Sequence, residues 1–188
     1  MSVHSAVIDL ITTIKSTVTK SQDPKMIISA VTPVATKLAK DQSWLKPEYY
    51  ECDQKQGMGI TVLNEEPDHS IFIETVAWLP GRAVAPHDHQ TWGIVVGIDG
   101  TEVNVHWQRL DDGTKEDFAE LRVLKEREIS AGDVVHLLPD DIHSVRNEGN
   151  TTSLSLHIYG QALSSLKRYE FDPINKIRRI CPQRVRRK

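Results

Sequence analysis

A succession of short β runs separated by turn residues, with no helical stretch between them, constrains this chain more than any other feature. Residues 71–78, 92–98, 101–107, 119–123, 133–138 and 153–159 are rich in β-branched and aromatic side chains. Between them stand Leu79-Pro80-Gly81, Asp99-Gly100, Asp111-Asp112-Gly113, Ala131-Gly132, Pro139-Asp140-Asp141 and Glu148-Gly149-Asn150. Many short strands at near-regular spacing predict a sandwich or a barrel. The first fifty residues have a different texture. Val3, Val7, Leu10, Ile11, Ile14 and Val18 recur at helical spacing, and Ile27, Ile28, Val31, Val34 and Leu38 continue the stripe. Asp23 before Pro24 marks a helix start, while Pro33 predicts a kink or two short helices. The expectation is a mostly β barrel with an N-terminal helical layer packed on it. A helical segment over 1–56, a barrel over 57–172 and a basic tail over 173–188 together form one structural domain.

The 188 residues allow a real core and a small appendage, and no apolar run reaches the ~20 residues of a membrane span. Met1 to Lys20 carries no signal-peptide core. Cys52 and Cys181 are the two cysteines, too few and too far apart for a disulfide framework, which makes a reducing cytoplasm the expected setting. The net charge of −3 hides a basic end: seven Lys and Arg and no acid between Lys176 and Lys188. No aromatic residue interleaves with them, so a solvated tail is expected and no nucleic-acid partner. The chain is read as a monomer or small homo-oligomer with no membrane partner.

The chemistry is concentrated in Pro86-His87-Asp88-His89-Gln90-Thr91-Trp92-Gly93. On a strand, the spacing of two turns both imidazoles to one face, half of a transition-metal site. Gly81 lies six before His87, Gly100 eleven after His89, and a third histidine follows in Gly132…Pro139…His143…Asn147. This spacing resembles the two-part motif of cupins, which implies a double-stranded β-helix (jelly-roll) barrel. The acidic position of that motif, a metal ligand in most cupins, is Gly93 here. Three neutral imidazoles leave a divalent ion its whole charge, so anionic and soft ligands such as thiolates are favoured.

Ser155, His157 and Tyr159 fall on one face of 153–159, and Leu154, Leu156 and Ile158 on the other. The polar face is either a hydrogen-bonded relay inside the barrel or a strand face in water. Three histidines without the glutamate, followed by Ser-x-His-x-Tyr, resemble the cysteine dioxygenase family of thiol dioxygenases. The resemblance extends from about Gly57 to Arg168. It implies Fe(II) on His87, His89 and His143, a relay of Ser155, His157 and Tyr159 with the tyrosine hydroxyl over the iron, and O2 and a small thiol as reactants. His106 and His136 are read as structural, and His4 and His69 as exposed.

Three details refine the likeness. Animal cysteine dioxygenases have a cysteine near position 93 that crosslinks to the relay tyrosine; glycine there forbids the bond to Tyr159. His89-Gln-Thr-Trp-Gly93 and His157-Ile-Tyr-Gly160 look more like the bacterial branch, which includes 3-mercaptopropionate dioxygenases, and Lys167-Arg168 matches its basic pair. That match implies Arg168 as anchor of a substrate carboxylate. Family members also carry an Arg or Gln near the position of Thr61, where this sequence has neither; Gln56 fills the role only in a shifted register. Two alternatives stay open: a three-histidine cupin acting with O2 on a non-thiol carbon acid, and a non-catalytic cupin that binds a small ligand.

Overall fold

The strands that alternate in sequence divide the molecule into a dry layer under the helices and a polar interior between two sheets. The computed structural model describes residues 5–187, so Val3, His4 and Lys188 lie outside the described residues. Two helices, α1 (Ser5–Val18) and α2 (Pro24–Lys40), precede ten strands. In chain order these are β1 (Met58–Glu65), β2 (Phe72–Trp78), β3 (Gly93–Asp99), β4 (Glu102–Arg109), β5 (Leu121–Ile129), β6 (Val134–Leu137), β7 (Ile142–Arg146), β8 (Ser153–Tyr159), β9 (Tyr169–Asp172) and β10 (Ile177–Ile180). One sheet has the spatial order β1-β2-β8-β3-β6, a second β5-β4-β7, and β9 and β10 form a hairpin. All strand pairs are antiparallel. The architecture is a mostly β jelly-roll with N-terminal helices, as the cupin resemblance and the helical stripe together imply.

Ile73, Ile94, Val96, Ile98, Leu154, Leu156 and Ile158 form one apolar cluster with Leu10 and Ile14 of α1 and Ile27, Ile28, Val31 and Leu38 of α2. The helices therefore cover the outer face of the five-stranded sheet. Helix α2 starts where expected: the Asp23 carboxylate accepts the Lys25 N–H at 2.9 Å, with Pro24 in the first turn. Pro33, however, does not split it. The helix continues from Pro24 to Lys40, and the buried Val31, Ala35 and Leu38 on either side of Pro33 hold it through packing.

The six β runs read from sequence fall on β2, β3, β4, β5, β6 and β8, with β8 matching end to end. The 3.6-period stripe and the period-2 strands thus meet at one interface. Gly100 makes the β3–β4 turn with φ 67°, a left-handed conformation that a side chain resists. The basic end is the main departure. Residues 177–180 pair with β9, and Arg187 bridges Thr61 in parallel, donating its N–H to Ile60 and accepting from Val62 at 2.8 Å each. The tail is a strap pinned by pairing with β9 at 177–180 and with the edge of β1 at Arg187, although most of its residues are exposed.

Leu156 has 0% exposure in the middle of this interface. Leu156→Ala is expected to lower unfolding free energy by about 2–5 kcal/mol in urea titrations, through lost burial and a residual cavity. Leu124→Ala, at a position 63% exposed on β5, should stay within about 0.5 kcal/mol of the parent.

Candidate metal centre

His87 and His89 are not on a regular strand. They lie in an extended segment held on both sides: His87 exchanges backbone hydrogen bonds with His143 at 2.8 and 3.0 Å, and also bridges Glu170 of β9. Extended backbone keeps the two-residue spacing effective, so both imidazoles point the same way, toward His143 on β7. The ligand atoms of the three residues lie within 4.8 Å of one another. Their ring centroids are 4.7–4.9 Å apart.

The tautomers of two rings follow from their partners. His87 Nδ1 lies 2.9 Å from the Ala85 carbonyl and His143 Nδ1 3.1 Å from Asn104 Oδ1. Both oxygens only accept, so both Nδ1 atoms carry the proton and both Nε2 lone pairs are free. His89 Nδ1 is buried without a partner among the described residues, and the His89 ring stacks on Tyr159 at 5.0 Å. Burial holds His87 down to about 4 and His89 and His143 well below the usual histidine range. Three converging neutral imidazoles, two with fixed tautomers, are a donor set that fits a divalent transition metal.

All seven residues of β8 are buried, which removes the reading of a polar strand face in water. Tyr159 Oη is 2.8 Å from His157 Nδ1, and His157 Nε2 is 2.9 Å from Ser155 Oγ. The chain then runs one residue further than the sequence suggested. Ser155 Oγ–H donates to Glu102 Oε1 on the facing sheet at 2.8 Å. Glu102 is buried, and desolvation pushes its carboxyl up to about 7 against the opposing Ser155 and Ser153 hydrogen bonds. An ionised Glu102 orients everything above it: Ser155 donates to Glu102, His157 Nε2–H to Ser155, and Tyr159 O–H to Nδ1. A protonated Glu102 that donates to Ser155 reverses the order and frees the Tyr159 hydroxyl to donate into the cavity. Burial lowers His157 to about 3 and raises Tyr159 well above the ordinary tyrosine range.

Gly93 is paired with Tyr159, and a Cβ at position 93 would lie 3.0 Å from the tyrosine ring. The position beside the ring thus has no thiol to offer. Cys52 and Cys181 are free.

The cavity among these groups is small, about 60 Å3. That admits roughly four to six water-sized groups at ~10–15 Å3 each. Its walls include the three histidines, His157, Tyr159, Val76, Trp78 and Arg168. Arg168 is 7% exposed; its Nη1 reaches the Asp88 carbonyl at 3.4 Å, and no ion pair to it occurs among the described residues. Four further wall or support residues escaped the sequence reading: Glu74 and Glu102, each 3% exposed or less, and Arg184 and Arg186 from the strap. An acid in the apolar run Ile71-Phe-Ile-Glu-Thr-Val-Ala-Trp78 was the available signal for Glu74. Gln56 takes no part in the cavity. It clamps the strap, accepting the Val185 N–H at 2.8 Å and reaching the Val185 carbonyl at 3.4 Å.

The other motif residues have structural partners. Asn147 donates to the Trp78 and Thr151 carbonyls, closing a loop. His136 meets Thr32 of α2 at 3.0 Å, and His69 pairs with Glu65 in an exposed turn. His106, in register with His143, is half-buried.

No family model matches the chain. Among solved structures, oxalate oxidase in complex with the substrate analogue glycolate aligns at 20% identity and a TM-score of 0.47, over 62% of this chain and 59% of the other. A cupin domain of an XRE family transcriptional regulator from Enterobacter cloacae aligns at 17% identity and 0.41, over 57% and 99%. A cupin-superfamily sugar phosphate isomerase from Silicibacter pomeroyi aligns at 16% and 0.40, over 55% and 57%. The chain thus spans little more than half of the oxalate oxidase it matches. No helix among the described residues is long and apolar enough to cross a membrane.

Glu102 gives a signed test. Its folded-state pKa is raised above the unfolded value near 4.5, so between pH 4.5 and 7 the folded chain binds more protons and stability falls as pH rises. The cost is complete above about 7 and on the order of 3 kcal/mol. Glu102→Gln should remove it: the variant's stability relative to wild type should rise from pH 4.5 to 7 in denaturant titrations.

Proposed function

We propose that the chain is a non-haem Fe(II) thiol dioxygenase that converts a small carboxylate-bearing thiol and O2 to the sulfinate. The observation that carries this reading is the convergence of three neutral histidines, with no carboxylate in their cluster, on a cavity whose wall includes Tyr159 and His157 of the Tyr159-His157-Ser155 chain. The balance is simple: R–SH and O2 give R–SO2H, both oxygen atoms ending on sulfur. Fe(II) held by His87, His89 and His143 would supply adjacent open positions for thiolate and O2 and the electrons that activate O2.

The protein's own groups do the rest. Arg168, buried and without a carboxylate partner of its own, receives the substrate carboxylate through two parallel N–H donors. Tyr159 is held against the cavity by His157 and His89, and its hydroxyl hydrogen-bonds the sulfur or oxygen of the reactants. Val76, Trp78 and Met58 keep bulk water from the remaining wall. An α-ammonium group finds no free acid there, because Glu74 is already engaged by Arg186 at 3.2 Å. An unpaired buried ammonium is costly, which favours 3-mercaptopropionate-like acids over cysteine. The cavity's size also fits a small acid better than a sugar or peptide.

The purified protein is expected to carry about one iron per chain. Metal analysis should show iron lost in His143→Ala and retained in His106→Ala; unchanged iron in His143→Ala removes the assignment. In steady-state O2 uptake, 3-mercaptopropionate should outperform cysteine, with cysteamine poor. Arg168→Ala should raise KM for the acids at intact iron content, a loss of roughly 1.5–3 kcal/mol. Tight ligand binding without O2 uptake would instead identify a binding cupin, and uptake with a carbon acid alone the non-thiol dioxygenase. Peptide mapping should find Tyr159 unmodified; a Tyr159–Cys181 or Tyr159–Cys52 crosslink would overturn the reading of Gly93.

A further inference from the structure

The C-terminal strap brings two arginines to a cavity that the chain built more than a hundred residues earlier. Its backbone is fixed at two points, by Gln56 on Val185 and by β1 on Arg187, and the Arg187 guanidinium also meets Glu51. Between and beside these anchors, Arg184 and Arg186 share one face at a spacing of two, and both line the cavity with Arg168. The strap pairs with β1 at Thr61, so it delivers cationic side chains to the wall where the strand itself carries none.

The three guanidinium groups are not equivalent. Arg186 is spent on the buried Glu74, at 3.2 Å, with its own side chain partly exposed. Arg184 Nη2 lies 3.7 Å from Glu170 Oε2, beyond hydrogen-bond range, while Arg179 holds the other oxygen, Oε1, at 2.6 Å. Arg168 has no acidic partner among the described residues. Two guanidinium groups therefore keep donors free, Arg168 buried and Arg184 with its side chain 29% exposed. Both guanidinium groups line one cavity together with His87. Cys181 lines the same wall, which places the two groups around one small volume.

We propose that Arg184 is a specificity-determining residue, and that it forms with Arg168 a two-point receptor for a ligand carrying two acidic groups, with Arg186 neutralising Glu74 so that it does not repel the ligand. Resting on the thiol dioxygenase reading, this ranks thiols with two carboxylates above the single-carboxylate 3-mercaptopropionate, which still ranks above cysteine. A single-carboxylate acid satisfies Arg168 alone and leaves Arg184 to solvent and a shared Glu170.

The test separates binding from turnover. Calorimetric titration of the purified full-length protein with succinate and with butyrate needs no thiol chemistry. Wild type should bind succinate about tenfold or more tightly than butyrate, the size of one charge-assisted hydrogen bond. Arg184→Gln should bring the ratio to within about twofold, and Arg184→Lys should restore part of it. Arg122→Gln, which removes a charge on exposed β5, should leave the ratio as in wild type. Equal affinity for the two acids in wild type, or a succinate preference that survives Arg184→Gln in a normally folded variant, overturns the proposal. O2 uptake with mercaptosuccinate and 3-mercaptopropionate then addresses the chemistry alone: a succinate preference without uptake of either thiol retains the receptor and removes the dioxygenase reading.

Discussion

The rest of the structure depends on a single strand buried on both faces. β8 lies between β2 and β3 at the centre of the larger sheet, and none of its seven residues is exposed. Strict alternation forces two solutions at once. Leu154, Leu156 and Ile158 need an apolar cover, which α1 and α2 provide. Ser153, Ser155, His157 and Tyr159 need hydrogen-bond partners in the absence of bulk water, since a buried unpaired polar group costs more than a made bond returns. They find them in one another and in Glu102. The helical layer and the candidate centre are two consequences of one period-2 pattern.

That coupling explains why the site is electrostatically unusual. Desolvation holds the three histidines neutral and drives Glu74 and Glu102 up to about 7. Neutral imidazoles make good ligands but supply no negative charge, and the acids that could are kept away by other partners. Glu74 is turned to Arg186, and Glu102 sits behind Ser155. A divalent ion placed among the histidines would join Arg168 and the strap in a cavity with a marked excess of positive charge. Anionic ligands are what such a cavity selects.

Much of this was legible in the sequence, for identifiable reasons. Period-2 alternation and glycine-marked turns located six strands, the resemblance to the cupin motif supplied His143, and fixed spacing on extended backbone turns His87 and His89 to one side. Ser155, His157 and Tyr159 are on one face for the same reason. Legibility failed where the partner is distant and the local pattern is silent. Glu102 follows a turn with nothing to show that its carboxylate faces Ser155 across the barrel. Residues 177–180, Ile-Arg-Arg-Ile, are mostly exposed and have no buried face to betray a strand. Of the two outcomes Pro33 allows, two short helices is the one that the buried contacts of α2 overrule.

The strap shows how a missing residue can be replaced by topology. A sequence position near Thr61 without Arg or Gln looks like a cavity wall without a charge. Yet β1 is an edge strand, and an edge accepts any segment that can offer backbone donors and acceptors. The chain's own end does so, and a strand-like segment presents alternate side chains to one side. Arg184 and Arg186 therefore arrive by backbone pairing rather than by replacement within β1. A charge delivered this way can be altered without disturbing the barrel's interior strands, because it hangs on Gln56, Glu51 and two edge hydrogen bonds. On the proposed reading the barrel carries the three histidines, the Tyr159-His157-Ser155 chain and Arg168, and the strap adds Arg184 and Arg186 to the same wall, so part of the selectivity hangs on a segment outside the barrel.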